Sequence, residues 1–108
     1  MPFDVLLTEG AARDLARIYD YIADRDSPEK ADAVLARIEQ VINALRTLRE
    51  RGAIPKELVA VGIREYRERF FKPYRVIYRV FERRVVVFVI ADGRQNMQSL
   101  LARRLLDA

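Results

Sequence analysis

Residues 74–91 read YRVIYRVFERRVVVFVIA, and the period of this stretch decides the fold class. Tyr74–Val80 alternates: Val76, Tyr78 and Val80 fall on one face of an extended chain, and Arg75, Ile77 and Arg79 on the other. Glu82-Arg83 is a tight connection. Val85–Ala91 is a nearly unbroken run of Val, Phe and Ile, the pattern of a strand central in its sheet or covered on both faces. Upstream, Ile63–Phe71 is a further strand candidate, rich in Arg and Glu and ended by a break at Lys72-Pro73. Downstream, Asp92-Gly93 turns the chain, and Met97, Leu100, Leu101 and Leu105 suggest a short final helix.

The N-terminal half changes period. Phe3–Leu7 is a short strand candidate. Thr8 offers a capping hydroxyl and Glu9 a carboxylate in the first turn, where it suits the helix dipole. Ala12, Leu15, Ile18, Tyr19 and Ile22 then recur at helical spacing, to an end near Asp24–Asp26. A second start follows at once: Ser27 can cap, Pro28 fits the first helical position and Glu29 lies in the first turn. Ala31, Val34, Leu35, Ile38, Val41, Ile42, Leu45 and Leu48 carry one apolar stripe along this helix, which Gly52 and Pro55 close. The short gap implies an antiparallel helical hairpin, with Tyr19 and Tyr21 packed in it and their hydroxyls in water. The order strand, helix, helix, three strands, helix predicts one α+β domain over residues 1–108. In it, the N-terminal strand and helical hairpin pack on an antiparallel sheet, followed by a short C-terminal helix. The second face of the sheet is expected to stay partly open and to receive a partner or substrate.

A chain of 108 residues with 51% hydrophobic content builds one real core. It has neither cysteine nor histidine, which excludes disulfides, thiol chemistry and the usual neutral-pH acid–base group. No metal and no cofactor is expected. The N-terminus lacks the features of a secretory signal, and no apolar stretch reaches the about 18 residues of a membrane span, so the cytoplasm is the expected location and a membrane is not an expected partner. The net charge of +4 is unevenly placed. Residues 1–63 hold 9 Lys+Arg against 11 Asp+Glu, whereas residues 64–108 hold 11 against 5, ten of the eleven being Arg. Arg grips phosphate and carboxylate bidentately, so this half is expected to prefer an acidic partner, a nucleic acid or an acidic peptide.

The element order, with YRVIYRV followed by RRVVVFVIADGR, resembles the RelE/ParE superfamily of bacterial toxins over nearly the whole chain. The resemblance implies a toxin of a type II toxin–antitoxin module and two alternative activities. Its ribonuclease branch cuts mRNA on the ribosome with a cluster of basic residues and a Tyr or His. Such chemistry needs a base, a proton donor and cations for the phosphorane charge. Arg75 matches the basic residue of the Tyr-Arg strand, and Arg94 keeps a cation after the last strand. Gln95 and Leu101 stand where the ribonuclease Arg and Tyr would be. On the preceding strand, direct register aligns Tyr66 and Glu68 with the basic pair, and a one-residue bulge would align Arg67 and Arg69 instead. The alternative endonuclease set is therefore Arg67, Arg69, Arg75 and Arg94.

The tail is more similar to the ParE branch, which poisons DNA gyrase by protein–protein contact and needs no acid–base residues. That branch ends its last strand in Ile-Leu-His-Glu/Gly-Arg, then Met, then Leu-Ala-x-Arg-Leu. Here the chain reads Ile90-Ala91-Asp92-Gly93-Arg94, Met97 and Leu101-Ala102-Arg103-Arg104-Leu105, departing from the pattern at Ala91-Asp92. The target-binding residues implied are Arg75, Arg79, Arg94, Met97, Leu101 and Arg104. Arg75 and Arg79 fit either a solvated strand face or a basic stripe, and Met97, Leu100, Leu101 and Leu105 fit either core packing or a docking surface. The resemblance also implies two partners, DNA gyrase and a cognate antitoxin. The antitoxin would wrap the toxin with an acidic amphipathic segment in a toxin–antitoxin hetero-oligomer.

Overall fold

The computed structural model describes residues 2–106. The first strand, β1 (Asp4–Leu7), leads through Thr8 into α1 (Glu9–Arg25), and Ser27 opens α2 (Pro28–Leu48). Both predicted caps form: the Thr8 hydroxyl accepts from the Ala11 N–H at 3.1 Å and the Ser27 hydroxyl from the Lys30 N–H at 3.0 Å. A short helix, α3 (Lys56–Val59), precedes β2 (Tyr66–Phe71), β3 (Tyr74–Phe81) and β4 (Arg84–Asp92). The chain closes in α4 (Met97–Leu101), which widens into π-helical turns over Ala102–Leu106. Asn96 caps α4, accepting from the Ser99 N–H at 3.1 Å.

The expected α+β class is borne out, but α3 was not expected, and three further features differ. First, the sheet order is β1-β4-β3-β2, and β1 joins β4 in parallel, so the sheet is mixed rather than wholly antiparallel. Second, β2 begins at Tyr66 rather than at Ile63. Third, the second face of the sheet is not open. The helix-hairpin face buries Val76, Tyr78, Val85, Val87 and Ile90 against Ala11, Ile38, Ile42 and Leu45. The opposite face buries Tyr66, Ile77, Val89 and Ala91 against Leu58 of α3 and Met97, Leu100 and Leu101 of α4. The apolar run of β4 explains this: a central strand with Val, Phe and Ile on both sides needs cover on both, and α3 with α4 supplies the second layer.

β4 carries one irregularity. Ile77 pairs with Val89 and Tyr78 with Val87, which leaves Phe88 as the extra residue of a bulge. Phe88 turns its ring edge toward Tyr66, with centroids 5.4 Å apart. Its carbonyl is freed for the contact with Arg104 described below.

Candidate functional site

Arg75 is not part of an exposed basic stripe. It is 8% exposed, beneath α3 and α4. Its guanidinium donates to both carboxylate oxygens of Glu57, at 2.8 and 2.9 Å, and through Nε to Glu68 at 2.7 Å. Glu57 holds its charge and that of Arg75 mutually: the bidentate contact lowers the carboxyl below its ordinary value and raises the guanidinium further above its own. Gly93 is needed beside it, because a Cβ there would lie 2.7 Å from Cδ of Arg75.

The β2–β3 register is the direct one, with Glu68 opposite Ile77 and Arg67 opposite Tyr78. Glu68 therefore shares a sheet face with Arg75, while Arg67 and Arg69 turn to the helix side. Arg67 donates to the carbonyls of Glu50 and Gly52, at 3.1 and 2.8 Å. Arg69 borders a cavity against α2 with Arg37 and Phe71.

The tail is packed rather than displayed. Met97 and Leu101 are 4% and 1% exposed, so both are core residues. Arg104 donates to both oxygens of Asp14, at 2.9 and 3.1 Å, and to the Phe88 carbonyl at 2.9 Å. The remaining Asp14 valence is taken by the Ile90 N–H at 2.9 Å. Arg94, by contrast, is exposed and forks onto Asp92, with Nη2 at 2.6 Å. Asp92 also accepts the Arg94 backbone N–H at 2.9 Å, and its carboxyl is held below the ordinary value by this partner. The Ala91-Asp92 departure thus has a local reason: Ala91 is buried in the second core layer, and Asp92 orders the turn that presents Arg94.

Beside this turn lies a groove. A cavity of about 350 Å³ between α1, the end of β4 and the C-terminal helix is lined by Arg17, Arg103, Arg104 and Gln95. A second cavity of about 480 Å³ runs toward the β2–β3 turn past Arg25, Lys30, Phe71 and Lys72. Tyr21, Tyr74 and Arg94 border both. Tyr21 is 60% exposed, with Arg25 stacked 4.7 Å above its ring, so it is not packed inside the hairpin as the spacing suggested. Burial and the neighbouring Asp92 raise the Tyr74 hydroxyl, which stays a neutral donor and acceptor. Of these residues only Arg94 and Arg104 were among the site residues that the sequence implied. Arg17 and Tyr21 are one turn apart on α1, whereas Lys72 lies between β2 and β3, and nothing in the sequence marks it as their neighbour.

Residues 5–97 match the family model described as the ParE toxin of type II toxin–antitoxin system, parDE. The chain belongs to the ParE toxin family. It is 30% identical over 100 residues to Toxin ParE3 of Caulobacter vibrioides, covering 93% of this chain and 96% of that one. Its fold is similar to a structure of a chromosomal ParDE toxin–antitoxin system from P. aeruginosa (TM-score 0.70, 23% identity, 83% of this chain and 95% of that chain). It is also similar to the RelBE2 toxin–antitoxin complex from Mycobacterium tuberculosis (TM-score 0.59, 21% identity, 85% and 99%).

This ParE-type toxin does not assemble the four arginines of the endonuclease alternative. Arg75 is engaged by two glutamates, Arg67 and Arg69 face the hairpin, and Arg94 projects at the turn. Among the implied target-binding residues, Arg94 is exposed and Arg79 half-buried, lying over the rings of Tyr66 and Phe81 at 5.8 and 4.5 Å. Arg75, Met97, Leu101 and Arg104 are committed to the toxin's own packing.

Proposed function

We propose that the toxin arrests growth by binding DNA gyrase as a protein ligand, and that a cognate antitoxin neutralises it by occupying its surface. The observation that carries this reading is the Glu57–Arg75–Glu68 cluster. Cleaving RNA requires cations free to meet a phosphate. The best-matched cation of the ribonuclease pattern already has its donors on two carboxylates, under a helical layer. Leu101, at the position of the ribonuclease Tyr, is buried. Inhibition by contact needs none of these groups free. It needs an exposed face with anchoring side chains, and Arg79 beside Phe81, itself 37% exposed, offers one.

The test is a supercoiling assay with purified toxin and gyrase. Supercoiling falls and cleaved DNA accumulates as toxin is added, and the purified antitoxin reverses both. Normal supercoiling at stoichiometric excess of toxin, with mRNA cut in a translation mix, would overturn the reading.

A further inference from the structure

We infer that the end of the sheet formed by the α2 C-terminus, the start of β1 and the β3–β4 turn is a phosphate-binding surface that holds the backbone of duplex DNA. Phe3 is its centre. The Arg49 guanidinium lies 3.4 Å from the Phe3 ring centroid and that of Arg83 lies 5.4 Å from it, so one ring gathers arginines from α2 and from the β3–β4 turn. The Phe3 N–H donates to the Arg46 carbonyl at 3.1 Å and the Asp4 N–H to the Arg83 carbonyl at 3.3 Å, which fixes the three segments side by side. Arg67 borders the same cavity as Phe3 and Arg49, and Arg84 opens β4.

Charge is the first argument. Arg75, Arg94 and Arg104 each have a carboxylate partner, whereas Arg49, Arg67, Arg83 and Arg84 have none among the described residues. Within the fold Arg49 donates to the Arg46 carbonyl, and Arg67 to those of Glu50 and Gly52. A carbonyl takes a donor without cancelling the charge, and each guanidinium carries several further N–H groups, so free donors remain. These contacts hold Arg49 and Arg67 half-buried and ordered, which reduces the entropy lost on binding, while Arg83 and Arg84 are exposed.

The layout of the surface decides which anion it takes. Neighbouring strands lie about 4.8 Å apart, so Arg67 on β2 and Arg84 on β4, two strands away, are separated by about 10 Å or more. A duplex carries one charge per about 1.7 Å of its axis and offers phosphates over the whole of that span, which a single small anion cannot. Glu50 and Glu82 line the cavity of about 280 Å³ between Phe3, Arg49 and Arg67 and disfavour an anion lodged inside it, so the ligand lies across the surface. Single strands are held by stacking bases on open aromatic faces. Here Phe3 is covered by two guanidiniums, and Phe81 carries Arg79 at 4.5 Å. An acidic peptide needs apolar anchors beside its carboxylates, and this lining offers only Val80 and the covered ring. Phe81 pairs with Arg84 across the hairpin, so the arginines adjoin the face proposed for gyrase, and the inference rests on that reading only for where the duplex is met.

The experiment measures anisotropy of a short fluorescein-labelled DNA duplex of mixed sequence added to the full chain over a series of salt concentrations. Single-stranded oligothymidine and a Glu-rich peptide are the comparison probes. The duplex binds tightest, and R83Q/R84Q weakens it by about tenfold or more and lowers the slope of log affinity against log salt by about 2. R17Q/R103Q removes the same charge from residues that line a different cavity, and it changes the affinity by no more than about twofold. All four arginines are exposed, so both variants keep the wild-type urea midpoint, which is measured alongside. Backbone amide shifts on titration of the wild type localise to the start of β1, the end of α2 and the β3–β4 turn. Absence of duplex binding, tighter binding of oligothymidine or of the Glu-rich peptide, equal losses in the two double variants, or shifts confined to another face would each overturn the assignment. Gyrase enters none of these measurements, so a failed supercoiling test leaves them intact, and their failure leaves the supercoiling test intact.

Discussion

Arg104 and Asp14 lie 90 positions apart in the chain and meet at 2.9 Å. Their side chains are 22% and 9% exposed, so the pair is mostly withdrawn from water. It ties the C-terminal helix to α1 and, through the Phe88 carbonyl and the Ile90 N–H, to the β4 bulge and the strand just beyond it. Removing one partner strands the other without a counter-charge. Asp14→Ala, which also orphans the Ile90 amide, is expected to lower unfolding free energy by about 3 kcal/mol in urea titration. A loss below about 1 kcal/mol would show the tether to be incidental.

Gly10 provides a second access to the same contact. A Cβ at this position would lie 2.5 Å from Nη2 of Arg104, so Gly10→Ala must displace the guanidinium. The substitution should destabilise the wild type and have little effect in an Arg104→Ala background. Additive losses in the double-mutant cycle would refute the coupling.

The Glu57 carboxyl lies below its ordinary value of 4.5 because Arg75 donates to it. A lowered folded-state value means that the contribution is fully present above the unfolded value and is lost as pH falls through the folded one. The urea midpoint should hold from neutrality to about pH 4.5 and decline below it, more steeply in the wild type than in Glu57→Gln. Part of the decline survives in the variant, because Asp92 is lowered in the same sense by Arg94. Identical acid limbs in the two proteins would remove Glu57 from the account.

Gly62 closes α3 with φ of +79°, where the Ile63 N–H returns to the Leu58 carbonyl at 2.9 Å. No atom would obstruct a side chain there, so the cost of Gly62→Ala is that of the backbone alone, about 1 kcal/mol. Thermal unfolding measures it, and an unchanged melting temperature would contradict the assigned cap.

Arg79 tests the gyrase face. It is seated on Tyr66 and Phe81 without an ion-pair partner among the described residues. Arg79→Glu should reduce potency in the supercoiling assay by about tenfold or more while the melting temperature stays close to that of the wild type. Undiminished potency would move the contact elsewhere.

Local sequence was enough to place the caps at Thr8 and Ser27, the apolar stripe of α2 and the alternation of β3, because each depends on neighbours within one turn or one pleat. Residues 74–91 also implied a central strand, and the tail of the chain identified the family branch that the family match supports. The short helix α3 was missed because four residues carry no readable period. The open second face was a wrong expectation, although the uninterrupted apolar run of β4 already signalled cover on both sides.

The site residues divide in the same way. Arg94 could be read, since Asp92 orders its turn two residues away. Arg75 could not, since its environment is set by Glu57, 18 positions upstream, and by a register that chooses Glu68 over its Arg neighbours. A one-residue slip in that strand would have put an arginine in place of the Glu68 carboxylate beside Arg75. The sequence by itself determined the long helices and the three consecutive strands, the family and the surplus of arginine in the second half. Only the tertiary structure decided which arginines are neutralised inside the fold and which face a partner, because long-range pairing and burial, not residue type, set whether a charge is already satisfied.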